Sequence, residues 1–192
     1  MRKLWLCLLG TILIMLSLTG CDERIHTPRL LEEWGRAARV GTASHSTRVG
    51  LAVAPDGQRI VMTWTAKPEG QEKEYIHLFA LDGQGQLVTD QNLEPPIKEP
   101  RQVQTFLDPK GYVHIVWSAG SRDARAVCYA MTVLPAAGTR RDLAWGQRIE
   151  PRRLSARDTS VRWYKAHMDT NGDMLILWID DKNNLLGTRI ST

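Results

Sequence analysis

Cysteine is scarce in this chain of 192 residues, which has only three. Cys7 and Cys21 belong to an N-terminal segment, so Cys128 stands alone in the rest of the chain and no internal disulfide can form there. Cys128 lies in the apolar stretch AVCYAMTV, which predicts a buried small hydrophobe rather than a reactive thiol. A single domain of this length can bury a sizeable core without disulfides.

The chain also lacks the short motifs of several enzyme classes. It has no Gly-x-Ser-x-Gly, no glycine-rich phosphate loop and no Cys-x-x-Cys. No two histidines are spaced i, i+4 around a carboxylate, as in a metalloprotease helix, so structural roles are expected for all five: His26, His45, His77, His114 and His167. The sequence predicts no catalytic residue, no metal site and no cofactor. It favours a protein that is not an enzyme and leaves an enzyme as the alternative.

Dense blocks of basic residues with interleaved aromatics are missing too. Removing residues 1–20 would take away Arg2 and Lys3 and no acid, so the formal net charge would fall from +4 to +2. The pairs Arg140-Arg141 and Arg152-Arg153 are best interpreted as part of a solvated face. The sequence therefore predicts no nucleic-acid partner.

What the N-terminus does have is a short apolar run. Arg2 and Lys3 precede fifteen largely apolar residues, 4–18, which end in Thr19-Gly20-Cys21. A basic start, a short apolar middle and small residues at the end are typical of a secretory signal. As a helix the run would measure ~22 Å, less than the ~30 Å of a membrane core, which makes it a poor permanent anchor.

The four residues Leu18-Thr19-Gly20-Cys21 resemble the lipobox of bacterial lipoproteins. The resemblance implies that Cys21 is acylated, that residues 1–20 are removed and that several acyl chains hold the protein on a membrane. The acids Asp22 and Glu23 follow at once, and in enterobacterial lipoproteins an aspartate there retains the protein at the inner membrane. The expected location is extracytoplasmic, on the periplasmic face of the inner membrane in a two-membrane organism. The alternatives are an ordinary secretory signal or an uncleaved membrane helix.

Three segments of the remaining chain align on a tryptophan. They are LAVAPDGQRIVMTW, QTFLDPKGYVHIVW and AHMDTNGDMLILW, and their tryptophans are 53 and 61 residues apart. Each segment has an aspartate and a glycine before an apolar stretch that ends in the tryptophan; the residues are Asp56, Gly57 and Trp64, then Asp108, Gly111 and Trp117, then Asp169, Gly172 and Trp178. Aspartate followed by glycine is typical of a tight turn. The chain thus carries an internal repeat.

Each repeat predicts an antiparallel meander of three or four strands. Residues 112–117 and 174–179 are rich in β-forming side chains, and the second stretch is apolar on both faces, as in a sheet packed on both sides. A further strand is expected after each tryptophan, at 75–81, 126–133 and 185–190. The predicted fold class is all-β, in a repeat domain spanning 34–192 after a signal peptide (1–20) and a lipidated linker (21–33).

A fourth strand is suggested near Trp34-Gly and Trp145-Gly, which lie 30 and 33 residues before Trp64 and Trp178. Asp90 occupies about the same place in the second repeat. A helix over 28–40, capped by Thr27, competes with the first of these strands.

These repeats resemble the blades of β-propellers, especially the sialidase-like, BNR-type repeats of bacterial extracytoplasmic proteins. They depart from a true Asp-box, because Trp follows Gly by six or seven residues and Ala54, Phe106 and His167 stand two places before the turn aspartates. Three repeats fall short of the usual four to eight blades. The expectation is a self-contained β domain, with closure of a larger ring by a second copy, or a fragment of a longer protein, as alternatives.

Two features of the repeats have competing interpretations. Asp169-Thr-Asn-Gly-Asp173 resembles part of a calcium loop, but no glutamate follows at its twelfth position, which favours a tight turn. The three tryptophans would suit sugar stacking in a lectin, but repetition of an apolar position favours a place in the core.

The functional hypothesis is a membrane-anchored extracytoplasmic lipoprotein that acts as a non-enzymatic binding or assembly module. Its partners would be the membrane, through Cys21, an envelope protein or a glycan, and a second copy of the chain. The alternative is a sialidase-like glycoside hydrolase or a remnant of one. No catalytic residue of that family can be placed on this sequence, although arginines are plentiful.

Overall fold

The computed structural model describes residues 48–134 and 149–191. These belong to one of the two compact units of the chain, Thr42–Thr192, whereas the other unit, Met1–Gly41, lies outside them. Several predictions therefore fall outside the described residues: the signal at 1–20, the linker at 21–33 with Cys21, Asp22 and Glu23, the strand or helix at 28–40, and the Trp145-Gly pair.

The described residues form strands and turns and contain no helix, which confirms the all-β prediction for this part of the chain. Consequently none of them forms a helix with the length and hydropathy that crossing a membrane requires. Across residues 48–134 and 149–191, eleven strands make three antiparallel sheets, in each of which neighbouring strands follow one another in the sequence. The predicted meanders are thus present as three separate sheets.

Sheet 1 has four strands in the order β1-β2-β3-β4. Their bounds are Gly50–Val53, Arg59–Ala66, Tyr75–Asp82 and Leu87–Leu93. Sheet 2 has the order β5-β6-β7-β8, with bounds Arg101–Leu107, Tyr112–Ala119, Ala126–Val133 and Ile149–Arg153. Sheet 3 has three described strands, β9-β10-β11, at Val161–Met168, Met174–Asp180 and Leu185–Ile190.

The Asp/Gly turns join the first two strands of every sheet. β1 and β2, β5 and β6, and β9 and β10 are the three hairpins, so the aligned sequence segments occupy matching places. The segment around Asp90 forms β4, the last strand of sheet 1, rather than the first strand of the second repeat. In this fold, a fourth strand therefore belongs to the same sheet as the three strands that precede it in the sequence, and it forms the last strand of that sheet.

Two clusters of buried side chains hold the sheets together. The first lies between sheets 1 and 2 and includes Val61 and Leu78 from one sheet and Ile115 and Trp117 from the other. The second lies between sheets 2 and 3, where it includes Tyr129 and Trp178. Sheet 2 is apolar on both faces because a neighbouring sheet covers each of them.

The first strands of the sheets approach one another closely. A Cβ on Gly50 of β1 would collide with the Thr105 hydroxyl of β5, and Thr105 is hydrogen-bonded to Thr63. Glycine at position 50 therefore permits the contact between β1 and β5. The Tyr164 hydroxyl of β9 donates to the backbone carbonyl oxygen of Gln102, at the irregular start of β5.

Candidate functional site

In each Asp/Gly turn the aspartate side chain accepts backbone hydrogen bonds, from two residues on for Asp56, four residues on for Asp108 and both for Asp169. One Oδ1 atom of each aspartate accepts a backbone N–H from within its own turn: from Gln58 at 2.8 Å for Asp56, from Tyr112 at 2.7 Å for Asp108 and from Asn171 at 2.9 Å for Asp169. Gly57, Gly111 and Gly172 have φ values of 69°, 87° and 91°, a region that favours glycine. These contacts are those of structural turns.

The stretch from Asp169 to Asp173 uses its carboxylates within the fold. Asp169 Oδ1 accepts the backbone N–H of Asp173 at 2.9 Å, and the Asp173 carboxylate pairs with Arg189 on β11. Within residues 48–134 and 149–191 no group of three or more His, Cys, Asp or Glu side chains is placed to hold a metal.

The three repeated tryptophans occupy the same place in their sheets. Each is the third residue from the end of a second strand, and the exposed fractions of Trp64, Trp117 and Trp178 are 5%, 0% and 6%. Trp117 and Trp178 each belong to the cluster between their own sheet and the preceding one. Trp64 lies on the opposite face of sheet 1 from Val61 and has its ring centroid 4.4 Å from that of His77. Such burial suits core residues better than exposed sugar-stacking platforms.

A buried polar cluster lies beside the second turn. His114 is fully buried, with Nδ1 3.0 Å from the Tyr129 hydroxyl and Nε2 3.5 Å from Asp108 Oδ2, a distance too long for a hydrogen bond. Burial lowers the pKa of His114, against the opposing effect of the Asp108 carboxylate. Burial likewise raises the pKa of Tyr129 to about 12. Because all three side chains are shielded from solvent, the cluster acts as a structural element of sheet 2.

Cys128 lies in β7, fully buried in the cluster between sheets 1 and 2. Burial raises the pKa of its thiol to about 12, with Arg153 acting weakly in the opposite direction. A thiol with so little thiolate at neutral pH is a poor nucleophile.

A cavity of about 570 Å³ opens where the loops of sheets 2 and 3 meet. The loop between β6 and β7, the segment joining β8 to β9, and the turn after β10 surround it; the lining residues are Arg122, Asp123, Arg125, Ser160, Val161, Arg162 and Asp181. The lining has three arginines and two aspartates, an excess of one positive charge. We call this cavity the arginine pocket.

Ser160 fixes two walls of the arginine pocket to each other. Ser160 as a whole is 7% exposed. Its hydroxyl accepts the backbone N–H of Arg125 at 3.1 Å and donates to the Arg122 carbonyl oxygen at 3.2 Å. The backbone N–H of Val161 donates to the Arg125 carbonyl oxygen at 2.8 Å. The backbone carrying the arginines is thus held in place before any ligand binds.

Two of the arginine side chains differ in their hydrogen bonding. The Nη1 atom of Arg162 donates to Asn183 Oδ1 at 2.8 Å, while the Nε atom of Arg125 is buried without a hydrogen-bond partner among the described residues. A guanidinium group recognises a planar carboxylate or a phosphate through paired N–H donors. The arginine pocket is therefore a candidate site for a small anion.

A second cavity, of about 360 Å³, lies at the opposite ends of the strands between sheets 1 and 2. The turns that contain Asp56, Asp82 and Asp108 border it, together with Arg59 and Lys110. The aspartates already accept hydrogen bonds within their own turns, so this cavity is mainly a gap between structural turns.

Sequence reasoning identified the repeated turns and tryptophans but missed the arginine pocket. The nine residues of the three turns and tryptophans lie in three separate hairpins and form no common site. Arg122 and Arg125 come from the loop between β6 and β7, whereas Arg162 lies in β9, and only the packing of sheet 3 on sheet 2 brings them together. No spacing in the sequence signals that convergence.

No protein-family model matches this chain. A segment of 76 residues is 33% identical to a 3-deoxy-manno-octulosonate cytidylyltransferase from Afipia carboxidovorans. The similarity covers 38% of this chain and 31% of that protein, so the chain spans less than a third of that curated relative.

Proposed function

We propose that this protein is a membrane-anchored, extracytoplasmic lipoprotein that works as a non-enzymatic binding or assembly module for a glycan or protein ligand, with the arginine pocket as its ligand site. The lipobox-like Leu18-Thr19-Gly20-Cys21 supports the anchor and the export. The arginine pocket carries the binding proposal, because three arginine residues line one cavity.

We further propose that the sheets are propeller-type blades related to the sialidase-like, BNR-type repeats. The sequential strand order of every sheet, the matching Asp/Gly turns and the matching tryptophans support this relation.

The ligand should carry a carboxylate. At about 570 Å³ the arginine pocket has the size of a typical small-molecule site, which suits one or two sugar units or an acidic side chain. The nearby Asp123 and Asp181 disfavour a ligand with several negative charges, because like charges at short range repel.

A glycan array with neutral sugars, acidic sugars and sialosides tests this proposal on the detergent-solubilised full chain. We expect saturable binding of carboxylate-bearing glycans, without turnover, that weakens at least about 10-fold in Arg122→Gln, since a charged hydrogen bond contributes about 1.5–3 kcal/mol. Arg157→Gln is the matched control, because Arg157 is exposed on the segment joining β8 to β9 but does not line the arginine pocket. Equal binding by all three proteins, or binding of neutral glycans only, would refute the assignment of the site.

The second candidate is a glycoside hydrolase or a remnant of one, which the two aspartates in the arginine pocket keep open. Hydrolysis of aryl glycosides that Asp123→Asn or Asp181→Asn abolishes would favour the enzyme over the binding module. The 76-residue similarity to the cytidylyltransferase covers too little of that protein to support its activity here.

A further inference from the structure

Sheet 3 packs on sheet 2 with one face only. That face carries buried residues such as Tyr164 and Trp178. We call the opposite face the outer face of sheet 3. Cross-strand pairing places three rows of side chains on it, in order from the end of the sheet next to the arginine pocket: Trp163, Ile179 and Leu185; Lys165, Leu177 and Gly187; and His167, Leu175 and Arg189.

The outer face of sheet 3 exposes several large apolar side chains. Trp163 is 50% exposed, whereas the other tryptophans of the described residues are at most 6% exposed. Leu185, in the same row as Trp163, is 66% exposed, and Leu175 is 46% exposed. Neighbouring exposed apolar side chains mark an interaction site more often than scattered single residues do.

The middle row fills the centre of this face. A Cβ on Gly187 would come within 2.6 Å of the Leu177 Cδ2 atom, so the leucine side chain lies over the glycine. Glycine at this position therefore lets Leu177 lie flat between the rows on either side. Such a face suits a broad, flat partner better than a peptide that inserts into a groove.

The charged side chains of the outer face are all basic, since none of its nine positions holds an acid. Arg189 is already neutralised by Asp173. Lys165 is exposed and forms no ion pair among the described residues. Arg162, at the edge of the face beside Trp163, is also exposed and donates to the neutral side chain of Asn183, so it keeps its charge. The face is therefore complementary to an anionic surface.

We propose that the outer face of sheet 3 docks the folded unit onto an anionic lipid bilayer. Trp163 and the neighbouring leucines enter the boundary between headgroups and acyl chains, where tryptophan is favoured. Lys165 meets the headgroup phosphates, and Arg162 adds to the positive potential that attracts them. The bilayer is the partner that combines an anionic outer layer with an apolar layer directly beneath it.

The docking rests on the proposed function for one point, the lipid anchor at Cys21. Residues 22–47 join Cys21 to the described chain, and a segment of that length spans at most about 90 Å when fully extended. The anchor would thus hold the outer face within reach of the bilayer. A tethered surface needs only a weak interaction of its own to stay docked, because the tether raises its effective concentration.

Quenching of tryptophan fluorescence by brominated lipid tests the docking. The full chain is purified from membranes in detergent and reconstituted into vesicles of equal parts phosphatidylglycerol and phosphatidylcholine with brominated acyl chains. The difference between the wild type and Trp163→Phe gives the quenching of Trp163 alone. We expect a clear difference in these vesicles, and a smaller one in phosphatidylcholine alone or at about 1 M salt, where the Debye length falls to about 3 Å.

Two pairs of variants separate the apolar contribution from the electrostatic one. Leu185→Ser should lower the ratio of docked to undocked chains at least about 10-fold, because burial of a leucine side chain is lost. Leu186→Ser is its control, since Leu186 pairs with Trp178 on the opposite face of sheet 3. Lys165→Gln should lower the ratio about 5-fold. Lys67→Gln, at an exposed lysine between β2 and β3, should leave it unchanged.

Three results would overturn the proposal in chains whose far-ultraviolet circular dichroism is unchanged. Equal quenching of the wild type and Trp163→Phe would show that Trp163 stays outside the bilayer. Equal docking on anionic and neutral vesicles, or no effect of Lys165→Gln, would refute recognition of anionic lipid. Protection of Trp163 from acrylamide without quenching by brominated lipid would show that protein, from the same chain or a second copy, covers the face.

Flotation of the vesicles distinguishes failure of the docking from failure of the anchor. A chain that does not float with anionic vesicles would contradict both the anchor and the docking. A chain that floats while its Trp163 is not quenched would contradict the docking alone.

Discussion

At the scale of single residues, the buried pair of His114 and Tyr129 is the most informative polar contact of the core. The alternation of side chains along a strand predicts that His114 lies on the face opposite Val113, and the register of β6 agrees with that position. Its partner could not be predicted, because Tyr129 becomes a neighbour only when β7 pairs with β6. Strand periodicity determines a face but does not determine which side chain lies across it.

His114 should make the stability of the fold depend on pH. Its pKa is lowered from 6.5 by burial, so the unfolded chain takes up the proton first and the free energy of unfolding falls as pH drops below about 6.5. The change should reach at most about 1.4 kcal/mol per pH unit. Urea unfolding at pH 7.5 and 5.5 measures it.

His114→Gln should reduce this pH dependence, since glutamine can still bond to the Tyr129 hydroxyl but does not titrate. The exposed His167 provides the control: His167→Gln should retain the wild-type dependence. The same slope in the wild type and both variants would mean that another group is responsible.

At the scale of elements, the local signals in the sequence were sufficient to find the hairpins. Asp and Gly at a fixed distance before an apolar strand specify a turn and a strand through neighbouring residues alone. The predicted strands at 126–133 and 185–190 match β7 and β11, and the one at 75–81 ends a single residue before β3 does. β4 is mostly polar, LVTDQNL, and its assignment to sheet 1 depends on pairing with β3 rather than on its own pattern.

Trp117 should contribute strongly to the packing between sheets 1 and 2. Replacing the fully buried Trp117 with alanine should cost about 3–5 kcal/mol, the range for removing a buried aromatic side chain. Tyr112→Ala, at the partly exposed start of the same strand, should cost clearly less. Urea unfolding followed by circular dichroism gives both values, and similar losses for the two variants would contradict a core role for Trp117.

At the scale of the whole molecule, the apolar residues on both faces of sheet 3 predict, from the sequence alone, that other elements pack on both of its faces. The structure covers one face with sheet 2 and leaves Leu175 46% exposed on the other. A sequence records that a face is apolar but does not record what covers it. The same limit applies to the arginine pocket, whose walls meet only through the packing of sheet 3 on sheet 2.

The anchor connects this folded unit to its proposed place of action. Lipid on Cys21 would tether the unit to a membrane, and several acyl chains bind a bilayer stably because each buried CH₂ adds about 0.8 kcal/mol. Cys21→Ser removes the only proposed site of acylation while leaving every described residue unchanged.

Labelling of cells with palmitate, combined with membrane fractionation, tests most directly the claim that this is an anchored envelope protein. Wild-type chain should incorporate the label and sediment with membranes, whereas Cys21→Ser should lose the label and should no longer remain with the membranes. Cys128→Ser, at the buried cysteine of β7, should behave as wild type. An unlabelled wild type, or a Cys21→Ser chain that stays labelled and membrane-bound, would contradict the account.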